Sequence, residues 1–542
     1  MPNSRNSDGY QPPVDIHVSG ATAPNGKPYV RIAASKRNAW IAREAFTSAG
    51  TEALRVLKAA NIPMLPHEWK QCRAKVAELK NFPPKVLIDR PGWNGPHFAL
   101  ADGTVFSAST EEAPVVLFHM DSQKCAAAGS IVKWRGITRT LRDQPVAAFV
   151  VLAAYAGPFL SLTKQVLNLG FELAGPGGVG KSTIQRVAAA VCGPADSPLG
   201  RNYWITANAT INGLEGVMAQ HNDMPLIIEE SNLFAAADRY GARAAKLNEL
   251  VFKLADGTEK LRFNSDQPQR SRFVFITSTN ELLAQLLIGY REAVADAATD
   301  RLLTIPIDTS RPYGIFDCLP KGWANSGDLA DHFNVGVRKC HGVGIRKLLQ
   351  HLVRALAERP EWVSESINGH MIDFRMQVGV DQNDGSETRV ADAFGLVYAA
   401  GMFAVQVGAV SRHIDPLKAA LACYELNRKS RAKPPSHLAQ LRKLADDFDT
   451  QWIKFDCRLP ELSDEQVEDA TAFVRERREE PYELLLTDRQ FLRAFPNPKA
   501  FFADSEIQQR MVGEPGRRKT KRQIRSNRKA ERFFVFRIES LQ

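Results

Sequence analysis

Residues 175–183 are Gly-Pro-Gly-Gly-Val-Gly-Lys-Ser-Thr, and this stretch decides the fold. Glycines at its first and sixth positions, followed by Lys and Ser, form the pattern that turns backbone N–H groups towards phosphate oxygens. The segment Phe171–Ala174 before it predicts a strand, and Lys181–Val191 after it predicts a helix. We therefore predict a phosphate-binding loop; the alternative is a glycine-rich strand-to-helix turn with a purely structural role.

The loop predicts ATP and Mg²⁺ as ligands. We expect the Lys181 ammonium to reach the β and γ phosphates and the Ser182 hydroxyl to ligate Mg²⁺. The nucleotide is expected to contact the whole loop, namely Gly175, Pro176, Gly177, Gly178, Val179, Gly180, Lys181, Ser182 and Thr183.

A second apolar strand ends in two carboxylates. Pro225–Ile228 is followed by Glu229 and Glu230, and carboxylates after a buried strand are costly to bury unless a cation joins them. We predict that Glu229 lies near Mg²⁺ through water and that Glu230 polarises the attacking water. The usual pair is Asp-Glu, so Glu229 departs from it by one methylene group. The alternative is a solvated strand end.

A third strand, Arg272–Thr277, continues into polar residues. A polar amide at such a strand end is placed to sense the γ phosphate and to orient the attacking water. We predict this role for Asn280, with Thr279 as the second choice. The alternative is an Asn-centred turn.

Arg301 precedes the strand Leu302–Ile307. We predict that Arg301 acts as an arginine finger on the nucleotide of a neighbouring subunit; Arg291 is a weaker candidate. The alternative is a surface pair between Asp300 and Arg301.

A polar turn rich in basic residues lies between the second and third strands. Asn264–Pro268 separates two strand-like arms that carry Lys260, Arg262 and Arg270. These cations are predicted to grip DNA phosphates, which would give sequence-independent and salt-sensitive binding. The alternative is a surface hairpin with solvated cations.

Composition fits a folded protein with basic regions. The 542 residues carry a net charge of +10, and nine Lys or Arg lie in Arg517–Arg532 beside one acid, Glu531. This block indicates a polyanion contact or a disordered tail. Seven dispersed cysteines without a CxxC pair make zinc improbable and favour a reducing cytoplasm. The polar start and the absence of a run near 20 apolar residues predict no signal peptide and no membrane span.

These elements, in this order, resemble the AAA+ superfamily, and short motifs narrow the resemblance to the family of unknown function called DUF927. It spans residues 84 to 410. The motifs that carry it are Arg90-Pro-Gly-Trp93, Leu100 to Gly103, Trp204-x-Thr206, Asn212-Gly-Leu-Glu215, His221-Asn-Asp223, Leu226 to Glu230, Ala255-Asp-Gly257 with Lys260 and Arg262, Ser278-Thr-x-Glu281, Arg301 with Ile305-Pro306, and Gly314-x-Phe316-Asp317.

The resemblance implies a hexameric ATPase that translocates on DNA, because the family is similar to ring helicases of mobile genetic elements related to the MCM type. It also implies that the basic hairpin points into a pore, and that a helical lid brings Arg389 to the nucleotide as a second sensor. Asn280 departs from the family, which tends to have Gly there, and moves the chain towards the general AAA+ pattern. The alternative for Arg389 is a plain helix-start arginine.

The expected fold is α/β, built around a P-loop AAA+ domain with a parallel sheet. We predict a disordered start (1–12), an N-terminal α/β domain (13–136), the ATPase core (137–325), a helical lid (326–432) and a basic, winged-helix-like domain (433–542). The function expected is that of a cytoplasmic homohexameric helicase or translocase driven by ATP. The alternative is a nucleotide-controlled oligomeric switch, for example in phage defence, that unwinds nothing.

Overall fold

The structure is a computed structural model that divides the chain into two compact units, residues 1–430 and 431–542. The units are described separately. It describes residues 16–34, 37–46, 49–109, 114–118, 124–163, 167–196, 202–206, 211–229, 240–258, 270–280, 298–307, 310–380, 384–431, 437–454, 457–476, 482–495, 498–513 and 517–538.

The strands of the described residues form five sheets. In chain order they are β1 (Ile16–Thr22), β2 (Pro28–Ala34), β3 (Arg37–Ala42), β4 (Leu87–Ile88), β5 (Gly92–Asn94), β6 (His97–Ala99), β7 (Val105–Phe106), β8 (Val115–Val116), β9 (Leu169–Ala174), β10 (Ile205–Thr206), β11 (Met224–Glu229), β12 (Phe273–Thr279), β13 (Leu302–Pro306), β14 (Gln451–Ile453), β15 (Phe473–Arg475), β16 (Tyr482–Leu486), β17 (Thr520–Arg522) and β18 (Glu531–Ile538).

The α-helices of the described residues are mostly short and lie between the strands or follow them. In chain order they are α1 (Thr51–Ala59), α2 (Pro66–Glu78), α3 (Ile131–Arg139), α4 (Pro145–Ala153), α5 (Lys181–Ala190), α6 (Ile211–Gln220), α7 (Tyr240–Asp256), α8 (Ser326–Lys339), α9 (Val343–Glu358), α10 (Pro360–Val378), α11 (Gly385–Gln406), α12 (Pro416–Arg431), α13 (His437–Ala445), α14 (Asp464–Asp469), α15 (Asp488–Ala494), α16 (Pro498–Ala503) and α17 (Ser505–Arg510).

A five-stranded parallel sheet forms the centre of the first unit, with the order β10-β11-β12-β9-β13. Strands β9 and β12 are buried along their whole length, as expected for a sheet covered on both faces. The predicted parallel sheet is therefore confirmed. Strand β9 lies between β12 and β13, and β11 lies beyond β12. The strand that ends in Glu229 is therefore separated from the loop strand by β12.

An antiparallel sheet of β1, β2 and β3 opens the described chain. The pair Asn25-Gly26 between short alternating stretches predicts a hairpin, and in the structure Gly26 lies in the turn between β1 and β2 with a φ of 82°. Helices α1 and α2 cover the sheet through Ala53, Leu57 and Trp69, which are all buried.

Two apolar helices, α4 and α11, lie in the main core against β9. Phe149 of α4 and Phe394 of α11 both contact the ring of Phe171. Among the described residues, α11 is the one helix long and apolar enough to cross a membrane, but 72% of its apolar stretch is buried within the protein. That burial is typical of the central helix of a folded domain.

The helices after the sheet differ from the sequence expectation in their ends. The sequence over Ala330–Ala357 predicts helix, and the structure has two helices there, α8 and α9, separated at Gly342, whose φ is 70°. A Cβ at Gly342 would lie 2.6 Å from the carbonyl oxygen of Ala126, so a tight turn against a neighbouring segment ends the first helix.

The second unit is a five-stranded sheet with the order β14-β15-β16-β18-β17 and five short helices. The sequence predicts two helices, a basic loop and then a strand over 533–538; that strand lies within β18, but strands β14 to β17 depart from this order. Strands β14, β15 and β17 have only three residues each, which is too little alternation to be recognised from sequence. The core is an aromatic cluster in which Phe491 contacts Phe501 and Phe534.

The basic block 517–532 is ordered, which rules out the disordered-tail alternative. Several of its cations are neutralised within the unit. Arg522 donates two hydrogen bonds of 2.7 Å to Glu483, and Arg525 lies 2.8 Å from Glu531. These pairs stabilise β17 and β18 and leave fewer cations available for a polyanion.

Candidate nucleotide-binding site

The phosphate loop connects β9 to α5 as the sequence predicts. Strand β9 ends at Ala174, and α5 begins at Lys181 directly after Gly180, which has a φ of 90°. Gly178 has a φ of 81° as well. These left-handed positions turn the loop so that its N–H groups and the start of α5 face one side, an arrangement that binds anions.

The neighbouring backbone holds the loop on two sides. A Cβ at Gly175 would lie 2.0 Å from the carbonyl oxygen of Ile307, so only glycine fits there. On the other side, the amide of Ile315 donates a 2.7 Å hydrogen bond to the carbonyl of Val179. At Gly177 and Gly178 a Cβ would meet nothing within 4 Å. The loop is therefore held at its ends and open at its centre.

The Lys181 side chain curls back over the loop and is only 7% exposed. Its ammonium donates to the carbonyls of Gly175 at 2.6 Å and Pro176 at 2.7 Å. It also lies 3.4 Å from the Oδ1 atom of Asn280. The structure thus brings together the predicted lysine and the predicted sensor amide.

These groups line a cleft of about 640 Å³. The first turn of α5 meets the first turn of α8 across it, so two helix N-termini direct their partial positive charge into the same space. The lining consists of Gly177, Gly178, Val179, Gly180, Lys181, Ser182, Thr183, Ser278, Thr279, Asn280, Arg311, Pro312, Tyr313, Gly314, Phe316, Ser326, Gly327 and Ala330.

Sequence reasoning missed the second wall of this cleft, residues 311–316 and 326–330, as a contributor to the site. Gly314 has a φ of 62°, and a Cβ there would lie 2.5 Å from the carbonyl oxygen of Val179. Arg311 pairs with Asp317 at 2.7 Å, and Asp317 accepts from the amide of Val146 at 3.1 Å. The motif Gly314-x-Phe316-Asp317 was noticed, but its spacing gave no sign that it closes over the loop.

Glu229 ends β11, two strands from the loop strand, or about 10 Å away at ordinary strand spacing. Its carboxylate is 16% exposed and lies 3.9 Å from the guanidinium of Arg186 on α5. Arg186 in turn lies over the ring of Trp204, 5.8 Å from its centroid. Glu229 is not among the cleft-lining residues, so the structure keeps it at the periphery of the loop. Glu230 lies outside the described residues.

Gln185, one helical turn after Lys181, joins α5 to the two strands beneath it. Its side chain is 2% exposed. The amide donates to the carbonyls of Ile228 on β11 at 3.0 Å and Ile276 on β12 at 3.4 Å. Strand β11 ends at Glu229, and β12 ends at Thr279, directly before Asn280. No sequence motif pointed to Gln185.

Arg301 lies at the opposite edge of the sheet from the loop. Leu302 pairs with Gly170 at the start of β9, whereas the loop follows Ala174 at its end. At about 3.3 Å per residue, the two edges are roughly 15 Å apart. The guanidinium of Arg301 lies over the ring of Phe252, 4.4 Å from its centroid. Arg301 is therefore remote from the cleft of its own chain.

Arg389 also lies at that opposite edge, which corrects its expected position. It is 65% exposed and lies 3.7 Å from Asp300, which also accepts a 2.7 Å hydrogen bond from Ser386. Asp300 therefore pairs with helix α11. Arg389 does not reach the cleft because α11 starts beside β13 at its amino end, a placement that a sequence cannot reveal.

The structure describes only part of the basic hairpin. Thr258 and Arg270 form an antiparallel bridge at its base, and the Arg270 Nε donates to the carbonyl of Asp256 at 3.0 Å. Arg270 thus caps the end of α7. Lys260, Arg262 and the second finger candidate Arg291 lie outside the described residues.

Two motifs of the resemblance meet at the amino edge of the sheet. Asp223 is fully buried and accepts from the amide of Trp93 at 3.0 Å and from Arg272 at 3.2 Å. Asn222 donates to the carbonyl of Pro91 at 2.9 Å and accepts from the amide of Arg272 at the same distance. These motif residues therefore fasten the β5 turn to the sheet.

Burial shifts the pKa values of two side chains at this edge of the sheet, Asp223 and His221. Desolvation raises the pKa of Asp223, and the nearby Arg272 opposes that rise. Burial lowers the pKa of His221 to about 3, helped by Lys124, while its bond with the carbonyl of Val217 opposes the change. His221 is thus neutral at ordinary pH and structural in role.

No cluster of three or more His, Cys, Asp or Glu side chains suited to a metal occurs in the part of the chain that the structure describes. A magnesium ion bound together with a nucleotide needs only one or two protein ligands, because phosphates and waters supply the rest. Ser182, which lines the cleft, and Glu229 at the periphery are compatible with that arrangement.

Comparison with known proteins agrees with the resemblance. Residues 12–272 match the family described as "Domain of unknown function (DUF927)". The match starts further upstream than the expected residue 84 and ends before the expected residue 410. A search of curated protein sequences gives no match.

Among solved structures, the SCCmec type IV Cch active helicase superposes with a TM-score of 0.53 and 14% identity, covering 97% of this chain and 93% of that one. At that identity the likeness shows a shared fold. The apo C-terminal region of NrS-1 (TM-score 0.24, 10% identity, 69% and 84% covered) and NtrX from Brucella abortus with ADP (0.18, 16%, 50% and 49%) align too loosely to support an argument. Over residues 12–272, a little less than half of its length, the chain is similar to the DUF927 family.

Proposed function

We propose that this protein is an AAA+ ATPase that hydrolyses ATP to translocate on or unwind DNA, as a ring helicase of a mobile genetic element. The observation that carries the proposal is the cleft in which the loop, Lys181 and Asn280 meet. A parallel sheet with a glycine-rich loop at its carboxyl edge is the arrangement that P-loop NTPases use.

The described residues fit a nucleoside triphosphate. The centre of the loop has no neighbour that would block phosphate oxygens, and the two helix N-termini favour negative charge. Lys181 already makes hydrogen bonds to two carbonyl oxygens, so its ammonium is oriented towards the space that phosphates would share. Asn280 is positioned to orient a water molecule near that ammonium.

Mg²⁺ would be held by the Ser182 hydroxyl, with Glu229 acting through water because of its distance from the loop strand. When bound, the ion neutralises charge on the β and γ phosphate oxygens. Glu230 follows Glu229 in sequence, and its proposed role is to polarise the attacking water.

Arg301 is proposed to act on the nucleotide of a neighbouring subunit. Its position at the sheet edge opposite the loop prevents it from serving its own cleft, and this suits head-to-tail contacts between subunits. Such contacts close into a ring, for which we propose six copies.

DNA is the proposed track. The fold likeness to an active helicase supports this choice, as does the basic hairpin whose base is closed by the Thr258–Arg270 bridge. Lys260, Arg262 and Arg270 are proposed to contact phosphates. We also propose a cytoplasmic location and the domain limits 13–136, 137–325, 326–432 and 433–542.

ATP turnover measured with and without single-stranded DNA tests the proposal. We expect DNA to stimulate turnover at low salt, and a fluorescent fork to be separated only when ATP is present. Turnover that ignores DNA would contradict the helicase. An ATP-dependent increase in mass without strand separation would favour the oligomeric switch instead.

Mixing two inactive variants tests the role of Arg301. Lys181→Ala retains Arg301, and Arg301→Ala retains the loop, so mixed assemblies contain some complete sites. We expect each variant alone to be inactive and the mixture to recover part of the wild-type rate. Arg55→Ala, on the exposed face of α1, is the matched control and should leave turnover unchanged. No recovery in the mixture would argue against an arginine acting between subunits.

A further inference from the structure

A second cleft, of about 560 Å³, lies in the first unit and shares no residue with the nucleotide cleft. Strand β7, the start of α3 and one face of α9 form it. Its lining consists of Val105, Phe106, Ser107, Gly129, Ser130, Ile131, Val343, Arg346, Lys347, Gln350, Val353 and Arg354. Three of these side chains are cationic and none is acidic.

Of the three cationic side chains, that of Arg346 already binds groups within the protein. It pairs with Asp102 at 2.5 Å and donates to the carbonyl of Cys125 at 2.7 Å. Lys347 and Arg354 have no carboxylate within salt-bridge distance among the described residues. Arg354 is exposed and Lys347 is half-buried. Their charge is therefore available to a ligand.

His351, on the same helix face, reports the local electrostatics. Its pKa is lowered, first by partial burial and then by the positive charges of Lys347 and Arg354. No acid contributes to that shift. The shift agrees with the presence of Lys347 and Arg354 on the face of α9 that borders the cleft.

The rest of the lining suits a chain with both phosphates and bases. Phe106 gives a partly exposed ring, and Val105 and Ile131, which are also partly exposed, add apolar surface. Ser107 and Gln350 supply hydrogen-bonding groups. A cationic groove with an aromatic side chain is the combination that single-stranded nucleic acids use, with phosphates on the cations and bases on the ring.

We propose that this cleft binds a segment of single-stranded nucleic acid, with Lys347 and Arg354 contacting phosphates and Phe106 contacting a base. This inference rests on the proposed function for its class of ligand. It assigns the contact to α9 and β7, separate from the hairpin near Arg270. Charge complementarity and the ring together favour a nucleic acid over a free phosphate ion.

The double variant Lys347→Gln with Arg354→Gln tests the proposal in the full chain. The probe is a fluorescent oligothymidylate, titrated at several salt concentrations. We expect affinity at low salt to fall about 10-fold, and the slope of log affinity against log salt to become shallower by about 1.4, because two phosphate contacts to a single strand are lost. The control Arg55→Gln with Lys58→Gln removes two exposed cations from α1 and should change neither quantity.

The possible outcomes distinguish a failure of the cleft assignment from a failure of the proposed helicase function. If the wild-type chain binds the oligonucleotide and the double variant binds equally well, the cleft assignment is wrong and the helicase proposal stands. If the wild-type chain binds no oligonucleotide, both are wrong. Competition by tripolyphosphate against the oligonucleotide tests whether the cleft is instead a site for small anions. Loss of tripolyphosphate binding in the double variant, with oligonucleotide binding retained, would overturn the assignment.

Discussion

The two edges of the central sheet carry similar polar residues in opposite states. At the carboxyl edge, Lys181 and Asn280 face a cleft, and Asn280 is exposed. At the amino edge, Asn168, Asn222 and Asp223 are buried, and their side chains are bound to backbone groups of neighbouring segments. The comparison teaches that the buried residues at the amino edge maintain the architecture, whereas the residues at the carboxyl edge also line a cleft and can therefore meet a ligand.

The largest expected difference between the edges is in catalysis. Lys181→Ala should lower ATP turnover at least about 100-fold, because the charge that meets the phosphates is lost. The free energy of unfolding should change by less than about 1 kcal/mol, since Lys181 contributes no core packing. Steady-state ATP hydrolysis and urea unfolding measure the two quantities.

A thermal shift with ATP provides the control for Lys181→Ala. ATP at 100 times its dissociation constant should stabilise the wild-type chain by about 2.7 kcal/mol and the variant by much less. Equal stabilisation of both would show that Lys181 does not contact the nucleotide.

Asp223→Ala should have the opposite profile. It leaves the buried amide of Trp93 without an acceptor and removes the partner of Arg272, so the free energy of unfolding should fall by about 2–4 kcal/mol. The protein that remains folded should still be stabilised by ATP. Chemical denaturation with and without ATP checks both statements.

Arg389→Ala is the matched control for Asp223→Ala, because it breaks an exposed ion pair at the same edge. Its cost should be below about 1 kcal/mol. A loss as large as that of Asp223→Ala would contradict the distinction between buried and exposed contacts.

Two glycines of the phosphate loop, Gly175 and Gly177, should respond differently to substitution although both lie at the carboxyl edge. Gly175→Ala should cost about 1–3 kcal/mol, because the new Cβ collides with the carbonyl of Ile307. Gly177→Ala should change the free energy of unfolding by no more than about 0.5 kcal/mol, because its Cβ meets nothing. Urea unfolding of both variants without nucleotide gives the measurement. Equal costs would mean that the contact at Gly175 is absent.

The last expected effect concerns pH at the amino edge. His221 has a folded pKa of about 3, below its ordinary value, so the unfolded chain takes up the proton first as pH falls. Stability from this group is complete above the ordinary pKa of histidine, near 6.5, and falls below it by up to about 1.4 kcal/mol per pH unit.

His221→Gln removes that titration, so its unfolding free energy should depend less on pH between 7.5 and 5.5 than that of the wild type (pH values about one unit either side of the ordinary pKa). The raised pKa of Asp223 acts in the opposite direction and is present in both proteins. Parallel pH profiles for the two proteins would contradict a neutral, buried His221.

The loop and its strand and helix were predictable because their signal is local. Nine consecutive residues specify the turn, and the flanking periodicities specify β9 and α5. The order of strands was not predictable: β12 is inserted between β9 and β11, and nothing in the sequence of either strand marks its neighbour.

Contacts between distant segments account for the other differences. Residues 311–316 reach the loop through a backbone hydrogen bond to Val179, which leaves no side-chain pattern. Arg389 was assigned to the nucleotide by family analogy, and only the packing of α11 beside β13 shows that it lies elsewhere. The second unit was misjudged because its short strands lack a periodic signal.

Gln185 is a buried residue that holds the segments at the carboxyl edge of the sheet in position relative to one another. Its side-chain amide forms hydrogen bonds that join the helix starting at Lys181 to the two strands that lead to Glu229 and Asn280. Gln185 therefore fixes the distances between α5, β11 and β12. It is 2% exposed and is not among the residues that line the cleft. A change in the interior at Gln185 can thus misplace reacting groups while every group in the cleft is still present.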